Sequence, residues 1–397
     1  RPAVAWGGRA ALLIMREPAP MPPPHRGSVL IIVLVMIVFA SVALVTFVER
    51  ASNDLLVEIR AADAANLRLE AYSALETTLA VLEDFRAVGG ALRSPAEGWG
   101  DPLTWAAYEP GDGRTVSVAF ADESGKLPLP RAQFQDLVLL FQSWNVSQDD
   151  SERLADALLG WAQPDYVPSS FDAPRASDYE RATLPFKPPG RSLRTFSELA
   201  AIDIVRELLF AEDGTPNELW HQFTAAVSLF NYRQPNVNSA PPAVLAALAQ
   251  YDETQQQMLR DYLNGTGSYA FQGPRFFQRP NEVTTLLGAQ AQPAGFSAEI
   301  QALRITVTVR QGQAVFRLNV VVAPPGGAQL VQPVKTEEEQ TQEAGAGGAA
   351  AAPPPVTGNR ASGTSPEAAP INYPFTLLEI RENDAPAPPP RADEDLL

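Results

Sequence analysis

The chain of 397 residues contains no cysteine and only two histidines, His25 and His221. Thiolate nucleophiles, disulfides and Cys/His zinc sites are therefore excluded. Positive charge is scarce: 30 Lys and Arg stand against 46 Asp and Glu, a net charge of −16. A phosphate backbone is held by clustered cations, so nucleic acid is not an expected partner. Catalytic signatures are missing too. There is no Gly-x-Ser-x-Gly elbow, no phosphate-binding loop and no Gly-x-Gly-x-x-Gly. His221 lies in the aromatic stretch "NELWHQF", where a satisfied, partly buried ring is expected. Asp149-Asp150 and Glu212-Asp213 read as helix starts or turns, where carboxylates cap. Finally, the segment from Ser28 to Val88 has neither Gly nor Pro, in a chain that holds 26 and 37 of them.

That segment opens with a charge-free apolar run, Ser28 to Val48. At ~1.5 Å per residue, a helix of this length matches a hydrocarbon core of ~30 Å. Arg1, Arg9, Arg16 and Arg26 precede it, against the single acid Glu17. The excess of cations predicts a cytoplasmic N-terminal side and an outward-facing remainder, periplasmic in a bacterium. The run is too long for a conventional signal peptide. Arg26-Gly27 stands directly before it. A cut after Gly27 would remove the basic leader and keep the apolar helix, as in type IV prepilins. An uncut single-pass anchor reads equally well from these residues alone.

Beyond Val48 the segment turns amphipathic. Leu55, Ile59, Ala62, Leu69, Tyr72, Leu75, Leu79, Leu82 and Phe85 recur at spacings of three and four. The spacing predicts one helix over 28–88, closed by Gly89-Gly90. Thr115 to Phe120 alternates like a strand. Helical stripes follow from Arg131 to about Gly288, interrupted by prolines. A β-hairpin is predicted over 303–323, turning at Gln311-Gly312-Gln313. Residues 324–370 hold acidic, Ala/Gly and proline runs and are expected as a disordered linker. An edge strand is expected within 371–383, and 384–397 as a disordered tail.

Four stretches in order carry a resemblance. They are Gly27 with its stem, "ADESGKLPLP", "RLADALLGWAQPDY" with "DYE" and "PPGRSLRTFSELAAI", and "FTAAVSLFNYRQPNVNSAPPAVLAAL". Together they resemble the minor pseudopilin K of bacterial type II secretion systems. The resemblance implies an α+β fold: a pilin-like long N-terminal helix packed on an antiparallel sheet, with a large inserted all-α domain. The implied divisions are a leader, 1–27, removed by prepilin peptidase; a transmembrane and stem helix, 28–88; sheet pieces at 89–130 and 301–323; and an inserted helical domain, 131–300. It implies a non-enzymatic subunit at the tip of the pseudopilus, single-pass in the inner membrane with a periplasmic C-terminal domain. Implied partners are the minor pseudopilins I, J and H, the major pseudopilin, the peptidase, the inner-membrane secretion platform and secreted exoproteins.

Residue by residue, Arg26, Gly27 and Ser28 would be read by the peptidase, and the Ser28 amine would be methylated. The fifth residue after the cut, commonly an intramembrane glutamate, is Ile32 here. A subunit with nothing ahead of it has no neighbouring amine to neutralise, which suits a tip. No cofactor is required, but some family members bind calcium. Asp165, Asp172, Asp178 and Glu180 are the candidate ligands, a solvated acidic loop being the alternative. The motif around Trp161 departs from the family, with Gly160 before it and Ala162-Gln163 after it.

"PNVNSAPPAVLAAL" also resembles half of a helix-hairpin-helix module. The competing function is thus an unprocessed single-pass periplasmic binding protein, such as a competence-type DNA receptor. Residues 249–253 offer it no glycine and two acids. Asn236 and Asn238 are expected instead to cap the helix that follows.

Overall fold

In the computed structural model, a single helix, α1 (Ser28–Gly89), opens the described part of the chain. The structure describes residues 28–111, 113–163, 165–170, 174–181, 187–330 and 374–383. By its contacts the chain divides into two units, 1–63 and 64–397.

In the first unit, every described side chain of α1 is exposed. The helix forms because nothing in it breaks the backbone ladder, glycine and proline being absent.

In the second unit, α1 buries one face. Leu67, Ala71, Ala74, Leu75, Thr78, Leu79 and Leu82 are each 2% exposed or less. Leu75, Leu79 and Leu82 are thus where the periodicity placed them. Leu55 and Leu69 are not, being 58% and 68% exposed, and Ala62 is exposed. The true stripe is marked by Ala71 and Ala74, whose small side chains let the sheet lie close. Gly90, at φ +78°, ends the helix by donating its N–H to Arg86 O at 2.8 Å.

The sheet facing this stripe has four strands: β1 (Thr115–Asp122), β4 (Leu303–Gln311), β5 (Ala314–Ala323) and β6 (Thr376–Glu382), antiparallel in the order β1-β4-β5-β6. Ile305, Val307, Val309, Phe316, Leu318, Val320 and Val322 share one core with the α1 stripe. Each such fully buried side chain stabilises by ~1.5–3 kcal/mol. Trp99 is fully buried in the same core, edge-on to Phe120 at 5.0 Å. The β4–β5 hairpin turns through Gly312, whose φ of +57° is the geometry a tight hairpin asks of its turn.

Between β1 and β4 lies the helical block. Its helices are α3 (Phe134–Gln142), α4 (Gln148–Ala162), α5 (Ala176–Glu180), α6 (Asp203–Leu209), α7 (Glu218–Ala226), α8 (Pro242–Ala249), α9 (Glu253–Asn264) and α10 (Val283–Leu287), while α2 (Pro102–Trp105) precedes β1. Within the stretch expected to be helical, 196–201 form a 3-10 turn and α6 starts only at Asp203. The block has its own core, in which Phe141 and Phe223 stack at 5.7 Å. Leu127–Pro128 (β2) pairs with Val227–Ser228 (β3) instead of joining the main sheet.

Residues 324–330 differ from the linker expected to start there. Gln329 bridges to Asn231 by two backbone hydrogen bonds, of 2.9 and 3.0 Å, and Ala328 is buried. Residues 331–373, with most of the linker, and 384–397, the tail, lie outside the described residues. The expected late strand is β6, the sheet's outer strand beside β5.

Candidate functional site

From Leu30 to Val48 the side chains of α1 are 46% to 76% exposed where large and apolar, Ile32 at 61%. Water is a poor solvent for such a surface, and a hydrocarbon layer a good one. The helix is long and apolar enough to cross a membrane. Its backbone groups are satisfied within the helix, as a lipid setting requires. Ser28 is its first residue. Arg26 and Gly27 lie outside the described residues.

In the body, the structure joins two of the motifs. The turn after β1 carries Asp122-Glu123-Ser124-Gly125-Lys126, and the loop before α8 carries Asn236 to Pro241. The Asp122 carboxylate accepts from Ser124 N and Ser124 Oγ, from Asn236 Nδ2 at 2.7 Å and from Ser239 Oγ at 2.5 Å. Asn236 N donates to Ser124 O at 2.7 Å, and Asn236 Nδ2 also reaches Arg93 O at 3.0 Å. Ser124 Oγ accepts from Gln301 N at 2.8 Å. Asp122 and Asn236 together therefore tie the sheet, the chain just after α1 and the helical block. Loss of hydration raises the Asp122 pKa, an effect its neutral donors only partly offset.

Glycine is required at the centre of this contact. A Cβ on Gly125 would stand 2.5–2.8 Å from Ser239 Oγ, O and C. Beside it, the buried Glu123 carboxylate is 3.0 Å from Lys126 Nζ and 2.6 Å from Arg304 Nε. Burial pulls its pKa up, but the two cations outweigh that and hold it low. Tyr232 donates its hydroxyl to Glu123 O or Lys126 O, at 2.8 and 2.7 Å.

Asn236 and Asn238 do not cap α8, whose N-cap is Pro241 without a side-chain bond. Asn238 instead spans loops: Nδ2 donates to Phe277 O and Ala298 O, and Oδ1 accepts from Phe277 N at 2.7 Å. The expected cap is replaced because the two prolines at 241 and 242 leave α8 few free donors to satisfy.

Three of the four candidate calcium ligands of the acidic loop are among the described residues. Asp165, Asp178 and Glu180 are exposed. Asp178 accepts from Arg175 N at 2.8 Å, at the start of α5. Asp172 lies outside the described residues, and among those described no three acidic or imidazole groups gather. A different acid organises this region. Asp156 on α4 is fully buried and accepts from Tyr166 Oη, Ser169 N, Ser170 N and Ser170 Oγ. Its signal in the sequence was an acid set within the apolar run "LADALL", on a face the helix must bury.

His221 is exposed, not partly buried, with its ring edge-on to Trp220 at 5.1 Å. Asp150 lies in the first turn of α4, where the cap is Ser147 and Asp150 N donates to it, and Asp213 accepts from Thr215 in a turn. The α8–α9 hairpin turns through Gln250, at φ +55°, and starts α9 from the Asp252 cap. Its tip is acidic, with no cationic side chain from 249 to 253, which gives a nucleic-acid phosphate nothing to pair with.

Residues 118–212 match the family model for the type II secretion system (T2SS), protein K. Among solved structures, the chain is similar to one in the crystal structure of the GspK-GspI-GspJ complex from the enterotoxigenic Escherichia coli type 2 secretion system. The identity is 15%, with 70% of this chain and 99% of that chain covered at a TM-score of 0.48. No curated protein matches the chain. The matched segment begins within β1 and runs past α6, taking in the Asp122–Lys126 turn and the Asp156 helix. By that match, residues 118–212 are a domain of the type II secretion system protein K family.

Proposed function

We propose that the chain is a minor pseudopilin that takes part in assembling the pseudopilus and in exporting folded proteins across the outer membrane. One observation carries the reading: a segment that matches the protein K family model shares its chain with a charge-free apolar run, Ser28 to Val48, whose large apolar side chains from Leu30 on are exposed. Prepilin peptidase would cut between Gly27 and Ser28, and the Ser28 amine would then be methylated. The segment from Ser28 to Val48 would first sit in the inner membrane, the body facing the periplasm. It would next leave the bilayer to pack beside the same helix of other subunits. Ile32 brings no carboxylate to that packing, which suits the leading position at the tip. The helical block would then form the blunt outer end.

Partners on this reading are minor pseudopilins of the I, J and H types, the major pseudopilin, the secretion platform and the exported proteins. GspK of the similar structure is itself in a complex with GspI and GspJ. The work is mechanical, and the chemistry belongs to the peptidase. The test is a deletion of this chain's coding sequence in its native host. Export of folded proteins should stop, and restored expression should bring it back. Unchanged export, with other pilin-like proteins absent from the purified complex, would overturn the reading.

A further inference from the structure

We infer that the loop after α9 is a docking site for a second protein, one that presents carboxylates around an apolar pocket. Phe271 is 104% exposed, the most exposed large apolar side chain among the described residues. It stands alone in this: Tyr262 and Phe277 stack at 4.8 Å, Tyr269 packs edge-on to Tyr262 at 5.4 Å, and Phe277 is buried. Folding thus gains from the other aromatic rings of this loop and gains nothing from Phe271.

The loop that displays it is rigidly built. Gly265 and Gly273 approach so closely that a Cβ on Gly265 would lie 2.3 Å from Gly273 C. Both have positive φ, +65° and +69°. Asp261 Oδ1 accepts from Thr266 Oγ1 at 2.8 Å and from Gln257 Nε2 at 2.9 Å. Arg275 N donates to Leu263 O at 3.1 Å, closing the loop onto the end of α9. An aromatic side chain held on a fixed loop loses little entropy when a partner covers it. Aromatic side chains and arginines are enriched at interfaces.

Charge names the partner. In a chain of net charge −16, residues 252–282 carry three arginines against four acids, of which Asp252 is the cap of α9. Arg279 is taken by Glu282, at 3.5 Å. Arg260 and Arg275 are exposed and have no carboxylate partner among the described residues: Arg260 donates to Gln257 Oε1 at 2.7 Å, and Arg275 lies over the Tyr262 ring at 5.7 Å. Asp261 is already engaged by the loop. Two unpaired guanidiniums and one bare ring on the same stretch of chain fit a partner with an acidic rim around an apolar pocket. This inference does not rest on the proposed function, because it uses only residues outside the matched segment and the apolar helix.

The test places the photoreactive residue p-benzoylphenylalanine at position 271 of the full chain in its native host. A second chain carries it at the exposed Thr254, as a control. Irradiation should give one adduct at 271, absent at 254, with a different protein whose cross-linked segment is acidic. Arg260→Glu should lower the adduct at least about fivefold, and Arg260→Lys should keep it. Thermal melting of the Arg260 variants, unchanged from the parent, separates lost docking from lost folding. Four results would each overturn the inference: no adduct, an adduct with this chain's own acidic segments or a second copy, an adduct with lipid only, or an adduct indifferent to Arg260→Glu.

Discussion

The two parts of α1 share a backbone geometry and differ in everything else. Residues 30–58 expose their side chains throughout, apolar or charged. Residues 67–82 hide a narrow stripe of leucine, alanine and threonine against the sheet. The first part is a helix because nothing breaks it and its surroundings are left to a lipid or a partner. The second is held by tertiary packing, the usual source of helix stability in water. One sequence thus makes a helix of which only one part contributes to folding the body.

Substitutions that separate the two parts sharpen this comparison. Leu79→Ala, in the buried stripe, should destabilise the full chain in detergent by ~2–5 kcal/mol, read from denaturant unfolding. Val38→Arg, in the exposed part, should leave that unfolding curve in place. It should instead cost ~2.5–3.5 kcal/mol in membrane insertion, read from the membrane-bound fraction. A shift of the unfolding curve by Val38→Arg would mean that the apolar part packs on the body.

Next in size is the junction. Gly125→Ala forces Ser239 away from the Asp122 clamp and should cost ~1–3 kcal/mol, with unfolding as the readout. Asp156→Ala leaves Tyr166, Ser169 and Ser170 without their acceptor. It should speed proteolysis within 163–170 before it lowers global stability. If cleavage there is unchanged, Asp156 does not organise that loop.

The smallest effect is a pH dependence. Glu70, on the stem, is salt-bridged to Arg114 at 2.9 Å and accepts from Tyr108 Oη at 2.6 Å. Burial raises its pKa, but Tyr108, Arg114 and Gly111 together lower it below the usual value. A carboxylate lowered by folding contributes stability above its unfolded pKa and loses it as pH falls through the folded value. Glu70 and Glu123 both act in this sense. Asp122, raised, acts in the opposite one, costing stability as pH rises through its folded value. Glu70→Gln should therefore flatten the acid-side loss of stability, and Asp122→Asn should matter most at neutral pH. Melting curves from pH 3 to 8 check both, and an unchanged acid limb in Glu70→Gln would contradict the stem assignment.

How much of this was legible in the sequence depended on whether the deciding contact is local. The helix, its glycine stop and the β4–β5 hairpin are written in short-range spacing. The phase of the stem was read wrongly at Leu55 and Leu69. Apolar periodicity weights large residues, while close helix–sheet approach is set by Ala71 and Ala74. The junction motifs were visible, but not their meeting: Asp122 and Asn236 lie in different elements, and no spacing rule joins them. The Asn pair looked like caps because Asn caps often, whereas here it binds loops. In the acidic loop, the acids at 165, 178 and 180 are exposed, while the acid that organises it, Asp156, lies inside an apolar run.

The measurement closest to the central claim is the intact mass of the chain extracted from membranes of its native host. The account predicts a mature chain that begins at Ser28, with the mass of one added methyl group on its amine. Chains that retain His25, Arg26 and Gly27 would contradict it and favour an uncut single-pass protein.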